Sequence, residues 1–565
     1  MTSAGDDDPA EHGDRAQAPL DPADPYARDA QTFPRLSEEM AGRIARYGAE
    51  ERLEPHQVVF SRGDRSVDFF LVLEGAIEIF ELRDDRTTHV VTTHHSRQFT
   101  GELDLFNDRQ ILVSGRAGPA SRVVRIRRAD FRRLVQSEPD VGEVIMRAFI
   151  LRRVGLIRHS QGGVVLIGPG HSADTLRLQQ FLTRNAYPHR LLDTEHDSDA
   201  GGFLDCFSLT RADLPVVVVP GAGALRNPAL AALADHLGLT ERFDHDTVFD
   251  VAVVGAGPAG LAAAVYAASE GLQTIVIESL APGGQAGTSS KIENYLGFPT
   301  GISGQALAGR AQVQAQKFGA RLAVSRAAAG LECTQRPFVL RLDDNAAIRA
   351  RAVVVATGAR YRRLGSPGDE RFEGQGLYYA ATAMEADLCR DAEVVVVGGG
   401  NSAGQAAVFL ARSVKHVHML VRSAGLAATM SDYLVQRIER SAQITLYTHA
   451  EISALDGERS LSSVTWRDHS SGAETTRPVA AIFAMIGAEP NTRWLGDCLA
   501  LDAQGFVVTG TKAGAAADSP YSTSQAGVYA VGDVRSGSVK RVAAGVGEGS
   551  VVVQAVHRFL HPVAD

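Results

Sequence analysis

The chain has 565 residues, of which 45% are hydrophobic and 22% are charged, a composition typical of globular proteins. At about 150 residues per domain it contains roughly four domains' worth of polypeptide, which excludes a mostly disordered or fibrous protein. The net charge of −9 argues against a nucleic-acid-binding protein that depends on an overall positive field.

The N-terminal segment is rich in aspartate and proline and has no apolar stretch of the kind found in secretory signals. We therefore predict a disordered acidic tail over residues 1–34 and a cytoplasmic protein. The apolar run 251–268 is interrupted by glycines and a proline, which favours a strand, a turn and a helix over a membrane-spanning helix. No membrane insertion is expected.

Residues 35–160 show the pattern of an all-β domain that ends in helices. Apolar residues alternate at period two over Asp68–Phe80, with Gly75 where two strands meet. Helical periodicity then covers Asp130–Gln136 and Val141–Ile157.

The segment Phe99–Leu105, followed by Arg109, resembles the ligand cassette of a cyclic-nucleotide-binding domain, a jelly roll closed by C-terminal helices. The resemblance implies that Glu102 bonds a ribose hydroxyl and that Arg109 pairs with the cyclic phosphate. Ile111 and Leu112 replace the small residues that let backbone amides reach that phosphate. The domain is thus either a site for a cyclic nucleotide or, the interpretation we favour, a degenerate regulatory or dimerisation domain.

Residues 161–245 combine strand and helix patterns with an X-Pro step. In chain order these are strand Val164–Ile167, helix Asp174–Arg184, Leu214-Pro215, strand Val216–Val219 and helix Asn227–Leu237. The order resembles a thioredoxin-like α/β domain, in which the X-Pro bond is cis. The turn that carries a CxxC in that family has no cysteine here. His171 in this turn is either a ligand or base or, as we favour, a solvated residue.

The four cysteines are at least fifty residues apart, which excludes a disulfide scaffold, a zinc ribbon and a local redox dithiol. We expect them not to pair, and we predict no metal site. They are Cys206, Cys333, Cys389 and Cys498.

A complete dinucleotide fingerprint begins with the strand Val251–Val254. Gly255 permits the turn, Gly257 lets the backbone approach a pyrophosphate, and Gly260 lets the helix pack on the strand. Pro258 and Ala259 complete the turn, and the helix N-terminus favours the negative charge of a pyrophosphate. The next strand ends in Glu278, which can accept a hydrogen bond from an adenosine ribose. This pattern predicts a dinucleotide site.

A second fingerprint follows the strand Val394–Val397. Arg422, and not an acid, stands after the second strand of this unit, which favours NADPH over NADH because arginine pairs with a 2′-phosphate. The predicted binding residues are Gly398, Gly400, Asn401, Ser402, Ala403 and Arg422.

The second dinucleotide fold is inserted into the first. We predict that the outer dinucleotide-binding domain covers residues 246–365 and 487–565 and that the inserted one covers residues 366–486. This arrangement resembles the low-molecular-weight thioredoxin-reductase family of FAD- and NADPH-dependent flavoproteins. The resemblance implies that the outer domain binds FAD, that the inserted domain binds NAD(P), and that a homodimer forms through the FAD domains. The resemblance further implies that FAD is bound by Gly284, Gln285, Asn294, Thr357, Gly358, Gly532, Asp533, Arg541, Val542 and Ala543.

The chain departs from that family at its redox centre. The segment Tyr378–Glu385, where the family carries a CxxC, has no cysteine. A thioredoxin fold before a reductase resembles the flavoprotein subunit of alkyl hydroperoxide reductase, but both dithiols are missing. Because disulfide exchange needs a thiolate, we expect an NAD(P)H- and FAD-dependent oxidoreductase with another small-molecule or protein acceptor and no side chain as general acid or base.

Two alternatives remain open. One is a regulatory or sensor flavoprotein with incidental turnover. The other is a thioredoxin-reductase activity that uses external thiols.

Overall fold

A computed structural model describes residues 24–82, 87–106, 109–159, 161, 163–197, 209–219, 223–239, 246–289, 291–379, 381, 383–458, 460–514 and 519–562. Among these residues, no helix is both long enough and apolar enough to cross a bilayer.

The segment that precedes the jelly roll is folded from Asp24 onward. A short 3₁₀ helix, Pro25–Arg28, leads into α1, Asp29–Thr32. The ring of Tyr26 stacks on that of His159 at 4.9 Å, and an Asp24 carboxylate oxygen lies 2.9 Å from Nε2 of the same histidine. This corrects the prediction of a tail through residue 34, because the last part of that segment packs on the end of a later helix. The rest of the predicted tail, residues 1–23, lies outside the described residues.

The next unit is the predicted jelly roll, in which two antiparallel sheets have the strand orders β1-β7-β3 and β2-β6-β4-β5. Gly75 has a φ of 78°, the left-handed conformation that joins two strands tightly. Aromatic side chains from strand, loop and helix stack inside it, among them Phe69 on Phe99 and Phe131. The elements are α2 Glu38–Ala45, β1 Ala49–Leu53, β2 Val58–Phe60, β3 Phe69–Glu74, β4 Ala76–Leu82, β5 Thr88–His95, β6 Ser114–Ala117, β7 Ser121–Ile126, α3 Arg128–Ser137 and α4 Pro139–Arg158.

A four-stranded sheet with the order β11-β10-β8-β9 forms the second unit. Strands β8 and β9 are parallel, and β10 and β11 are antiparallel to their neighbours. The order along the chain is the predicted one, and Leu214-Pro215 is cis, with Pro215 against Gly168. The elements are β8 Val164–Gly168, α5 Ala173–Arg184, β9 His189–Asp193, β10 Val216–Val219, β11 Gly223–Arg226 and α6 Leu230–His236.

The third unit is the first part of the Rossmann-like domain predicted to bind FAD. Its sheet has the order β14-β13-β12-β17-β16-β15, with β12, β13, β14 and β17 parallel and the last two strands antiparallel. The elements are β12 Val248–Val254, α7 Pro258–Ser269, β13 Thr274–Glu278, α8 Gly304–Lys317, β14 Arg321–Val324, β15 Ala328–Glu332, β16 Phe338–Leu342, β17 Ala347–Val355 and β18 Ala359–Tyr361.

The inserted unit has a parallel sheet of order β19-β26-β20-β21-β22 and a separate antiparallel sheet, β23-β24-β25. Its elements are β19 Leu377–Tyr378, α9 Ala383–Leu388, β20 Glu393–Val397, α10 Asn401–Leu410, β21 His416–Leu420, α11 Asp432–Glu439, β22 Ile444–Tyr447, β23 Ala450–Asp456, β24 Ser463–Asp468, β25 Glu474–Pro478 and β26 Ala481–Ala484.

The chain then returns to the third unit. Strand β27, Ala488–Pro490, pairs with β18, so the two crossings between the domains lie side by side. Strand β28, Val528–Ala530, adds to β17 in parallel, and α12, Val542–Leu560, packs along α7. The nested arrangement of two Rossmann-like domains after a jelly roll confirms the predicted fold class.

Candidate functional site

The first glycine turn lies at the carboxyl end of β12, where Gly255 has a φ of 106°. An added Cβ at Gly260 would overlap the carbonyl oxygen of Gly255, so this glycine is required for the helix to pack on the strand. At Gly257 the space is open, because the nearest atom to an added Cβ is Gly284 Cα at 4.0 Å. Helix α7 starts directly after this glycine, at Pro258 and Ala259, with no side chain capping its amides.

Glu278 ends β13 beside this turn. Its carboxylate accepts hydrogen bonds from the backbone N–H of Ala256 at 2.8 Å and from that of Leu280 at 3.0 Å. These bonds hold the carboxylate at the carboxyl edge of the sheet, where a ribose diol bonds in dinucleotide folds.

Residues 280–285, which include the predicted flavin contacts Gly284 and Gln285, are called the flavin loop. The Gly283 N–H donates to the carbonyl of Ala256 at 2.7 Å, and the Gln285 side-chain amide donates to the carbonyl of Ala359. The loop is thereby tied both to the glycine turn and to the segment after β17. Asn294, predicted to join this site, is exposed.

Asp533 is half-buried near the start of α12, and burial raises the pKa of its carboxyl group. The loop that carries it is held by Glu548, which sequence reasoning missed. The Glu548 carboxylate accepts from the Gly532 N–H at 2.5 Å and from the Arg535 guanidinium at 2.6 Å. The carboxyl group of Asp533 itself makes no hydrogen bond within the described part of the chain.

Helix α12 begins at Val542, with Arg541 as its N-cap residue and no side-chain cap. Arg541 and Ala543 are exposed and Val542 is half-buried. The uncapped amides make this helix start suited to a negatively charged or polar ligand group.

A second missed residue is Asn491, at the return crossing after β27. Its side-chain amide donates to the Thr357 carbonyl at 2.9 Å, and its N–H donates to the Gly358 carbonyl at 3.0 Å. The Thr357 hydroxyl donates in turn to the Asn491 carbonyl at 2.8 Å. Only a fold that returns after 134 residues brings these groups together, so no local pattern could reveal the pair.

The second glycine turn has the same design. Gly398 has a φ of 134°, and an added Cβ there would overlap the carbonyl oxygen of Met485, whereas no atom lies within 4 Å of an added Cβ at Gly400. Helix α10 starts at Asn401, whose side-chain oxygen accepts from the Ser431 N–H at 2.7 Å. Ser402 is exposed and Ala403 is buried.

Arg422 lies just beyond β21 and is exposed. No hydrogen bond or ion pair joins its guanidinium to another described residue. The charge is therefore available to a ligand at this edge of the sheet.

One ion pair joins the two dinucleotide domains near Asn294. Arg437 on α11 donates to the Glu293 carboxylate at 2.6 Å, and Lys291 lies 3.3 Å from the same carboxylate. Burial raises the pKa of Glu293, but the hydrogen bonds from these two cations outweigh it and hold that pKa below its ordinary value.

The cysteines depart from the prediction in one respect. Cys333, after β15, and Cys498 form a disulfide with Cα atoms 6.1 Å apart, although they were expected not to pair. Both belong to the domain predicted to bind FAD, and the nested fold joins them across 165 residues of chain. Strand β15 is the outer strand of the sheet, about 14 Å from β12 at the usual strand spacing.

The remaining thiols offer no second pair among the described residues. Cys389 is 2% exposed, and burial raises the pKa of its thiol to about 12. Cys206 and positions 380 and 382 lie outside the described residues.

The cyclic-nucleotide cassette of the jelly roll is occupied by the chain itself. Arg153 on α4 donates to the Glu102 carboxylate at 2.5 Å and lies 2.6 Å from the Asp104 carboxylate. The N–H of Ile111 donates to the Asp64 carbonyl at 3.0 Å, so it is not free for a phosphate. Leu112 is 2% exposed and packs in the core of the second unit, residues 163–239.

His171 has one partner that its position in the sequence did not reveal. Its Nδ1 lies 2.9 Å from a Glu195 carboxylate oxygen, next to Asp193 and His196. His171, Glu195 and His196 are all about half exposed or more, as solvated surface ion pairs are.

The geometry of the first site fits FAD. The open space at Gly257 and the uncapped start of α7 suit a pyrophosphate. The Glu278 carboxylate suits a ribose, and the half-buried Asp533 suits a polyol chain, beside the uncapped start of α12. Gly400, the start of α10 and Arg422 provide the corresponding groups for a nicotinamide dinucleotide.

Comparison with known proteins agrees with this geometry. The family model for pyridine nucleotide-disulphide oxidoreductases matches residues 249–549, more than half of the chain, and the model for cyclic nucleotide-binding domains matches residues 50–138.

Individual relatives match the same part of the chain. Thioredoxin reductases of Treponema pallidum and Mycolicibacterium smegmatis are each 34% identical over 56% of this chain, which spans 98% and 97% of those proteins. A crystal structure of Lactococcus lactis thioredoxin reductase in its FR conformation aligns with a TM-score of 0.52 and 27% identity, over 55% of this chain and 99% of that one. The chain therefore belongs to the pyridine nucleotide-disulphide oxidoreductase family as a thioredoxin-reductase-like, NAD(P)H-dependent FAD oxidoreductase.

Proposed function

We propose that this protein takes a hydride from NADPH and passes electrons through FAD to an acceptor other than an internal disulfide. The observation that carries the proposal is the segment Tyr378–Glu385, which contains no cysteine. The one described thiol near it, Cys389, is buried, and its raised pKa keeps it protonated and unreactive. The Cys333–Cys498 disulfide lies just beyond the outer strand β15, in the other Rossmann-like domain.

FAD is assigned to the first turn and the loops around it. Gly255, Gly257 and Gly260 would bring the backbone to the pyrophosphate, and Glu278 would accept from the ribose. The flavin loop, Thr357 and Gly358 would hold the ring system, with Asp533 on the polyol chain. FAD supplies the redox chemistry when bound, and the chain supplies position and electrostatics.

NADPH is assigned to the second turn, with the exposed Arg422 on the 2′-phosphate. Because Arg422 forms no ion pair with the described residues, pairing with a phosphate breaks no existing interaction. NADH is the second candidate donor, because the choice of NADPH rests on one described residue, Arg422.

Two surface features support a homodimer through the FAD-binding domains. Tyr266 on α7 and Val551 on α12 are 44% and 47% exposed, and their helices pack side by side. Light scattering of the purified protein would test this association.

The central experiment is anaerobic reduction of the purified protein by NADPH, followed by mixing with candidate acceptors. Quinones, ferricyanide, oxygen, a ferredoxin- or flavodoxin-type protein, and an aromatic disulfide as the comparison cover the main classes. We expect flavin reoxidation and repeated NADPH oxidation with at least one of them. If only disulfides reoxidise the flavin, the proposal is wrong; if NADPH does not turn over repeatedly with any acceptor, a sensor is the better description.

A further inference from the structure

The thioredoxin-like domain has no described thiol pair, yet its helix α5 ends directly against the flavin loop. We use the name connector for residues 183–186, the last two residues of α5 and the two residues after it. The Arg184 guanidinium donates to the carbonyl of Gly284 at 3.1 Å. The Asn185 side-chain amide donates to the carbonyl of Leu280 at 3.1 Å.

These two contacts are held in place by the surroundings. Asn185 is 2% exposed, and its amide also donates to the Phe181 carbonyl at 3.0 Å, which fixes the orientation of the side chain. Leu280 packs against the apolar core of the thioredoxin-like domain, and the Gln305 amide donates to the carbonyl of Thr183. The connector and the flavin loop therefore form one packed unit.

The opposite side of the connector faces the jelly roll. Arg109 donates to the carbonyl of Asn185 at 3.4 Å, and Arg153 donates to that of Ala186 at 3.5 Å. Unpaired carbonyl groups at a helix C-terminus favour cations, so the two arginines suit this position. Arg109 is the arginine that the resemblance assigns to a cyclic phosphate. Arg153 is the arginine that pairs with Glu102 and Asp104 inside the cassette.

We propose that Arg184 and Asn185 are positioning residues for the flavin loop, and that the jelly roll holds them through Arg109 and Arg153. The thioredoxin-like domain thus serves as a rigid spacer that fixes the flavin environment, in place of a dithiol carrier. The inference rests on the proposed function, because it takes residues 280–285 to hold FAD.

The test compares Arg184→Ala with Arg177→Ala in the full-length protein. Arg177 lies two turns earlier on α5, and its contacts with Asp174, Asn227 and Pro228 stay within the thioredoxin-like domain. The measurements are the FAD dissociation constant, the visible flavin spectrum and the flavin midpoint potential.

We expect Arg184→Ala to weaken FAD binding about tenfold, as loss of one charged hydrogen bond would, and to shift the spectrum and the potential. Arg184→Lys should restore part of the change, and Arg177→Ala should leave all three values at those of the parent. Equal values for parent, Arg184→Ala and Arg177→Ala, with FAD bound, would overturn the inference. A parent protein without FAD would instead refute the proposed function.

The jelly-roll part of the inference has its own variant. Arg109→Ala should shift the flavin spectrum and potential in the same direction as Arg184→Ala, but less. If Arg109→Ala leaves both unchanged while Arg184→Ala moves them, the jelly roll does not hold the connector.

Discussion

No atom of the described residues fills the space beside Gly257, so a larger side chain there tests whether this space holds the pyrophosphate. Gly257→Val should leave the fold intact, because no protein atom lies closer than 4.0 Å to the new Cβ. The added methyl groups would occupy the place of the pyrophosphate, so we expect the variant to purify without FAD. Flavin absorbance and chromatography of the released cofactor measure this.

The matched control is Gly309→Val, on the exposed side of α8, where no atom lies within 4 Å of an added Cβ. It should keep about one FAD per chain. Retention of FAD by Gly257→Val would show that the pyrophosphate does not lie at this turn.

Arg422 decides the choice of nucleotide if it pairs with a 2′-phosphate. Arg422→Ala should then raise the KM for NADPH by roughly ten- to a hundredfold, the effect of one charged hydrogen bond, and leave the KM for NADH nearly unchanged. Steady-state kinetics with both nucleotides provide the measurement.

Arg412→Ala is the control for the nucleotide prediction. Arg412 is exposed in the same domain, but it follows the C-terminal end of α10, away from the glycine turn where that helix starts. It should leave both KM values unchanged. Equal increases for NADPH and NADH in Arg422→Ala would contradict the assignment to the 2′-phosphate.

At the scale of elements, patterns confined to a short stretch predicted structure well. Both glycine turns, with the strands before them, follow from local sequence because the backbone conformation there requires glycine. Helix α6 begins at Leu230, later than the predicted Asn227, because Asn227 has a φ of 35° and cannot start a helix. The sequence pattern predicts a helix over Gln405–Arg412, but helix α10 already begins at Asn401, directly after the glycine turn.

Long-range contacts could not be predicted in this way. Glu548 is identifiable only once α12 lies beside the loop of Gly532, and Asn491 only once the chain has returned from the inserted domain. The Cys333–Cys498 disulfide depends on the same return. The contact between connector and flavin loop also depends on how whole domains pack. No sequence pattern within a single segment predicts such packing.

The jelly-roll cassette supplies a prediction at this scale. We expect cyclic AMP to bind no more tightly than millimolar, because the Glu102 carboxylate is taken by Arg153 and the Ile111 amide by Asp64. Displacing Arg153 would leave buried carboxylates without a partner, which is costly. Calorimetric titration measures the binding.

A micromolar dissociation constant would contradict this account of the cassette. Arg109→Ala would then serve as the control, because it removes the arginine that the resemblance assigns to the phosphate. Loss of binding in that variant would place the nucleotide in the cassette.

At the scale of the whole molecule, the domains form a continuous series of contacts from jelly roll to inserted domain. The second unit, predicted to be thioredoxin-like, touches each of the others. Leu112 of the jelly roll packs in its core, Arg184 contacts the flavin loop, and Gln180 donates to the buried Glu385 at 3.0 Å. A mobile carrier of electrons would need to leave these contacts in every cycle. The arrangement suits a fixed scaffold around the flavin.

The electron path gives the last prediction. With all four cysteines replaced by serine, the protein should still bind FAD and retain most of its rate of NADPH oxidation with quinones or ferricyanide, because no thiol lies on the proposed path. Stability should fall, since the Cys333–Cys498 bond closes a loop of 165 residues, worth about 5 kcal/mol on the chain-entropy model. The Cys206→Ser/Cys389→Ser double variant, which keeps the disulfide, separates the two effects: it should match the parent in rate and lose less stability than the four-serine variant, because only the buried hydroxyl at position 389 destabilises it. A flavin that NADPH still reduces but that no longer passes electrons to the acceptor, in either variant, would establish a thiol relay and refute the proposed path.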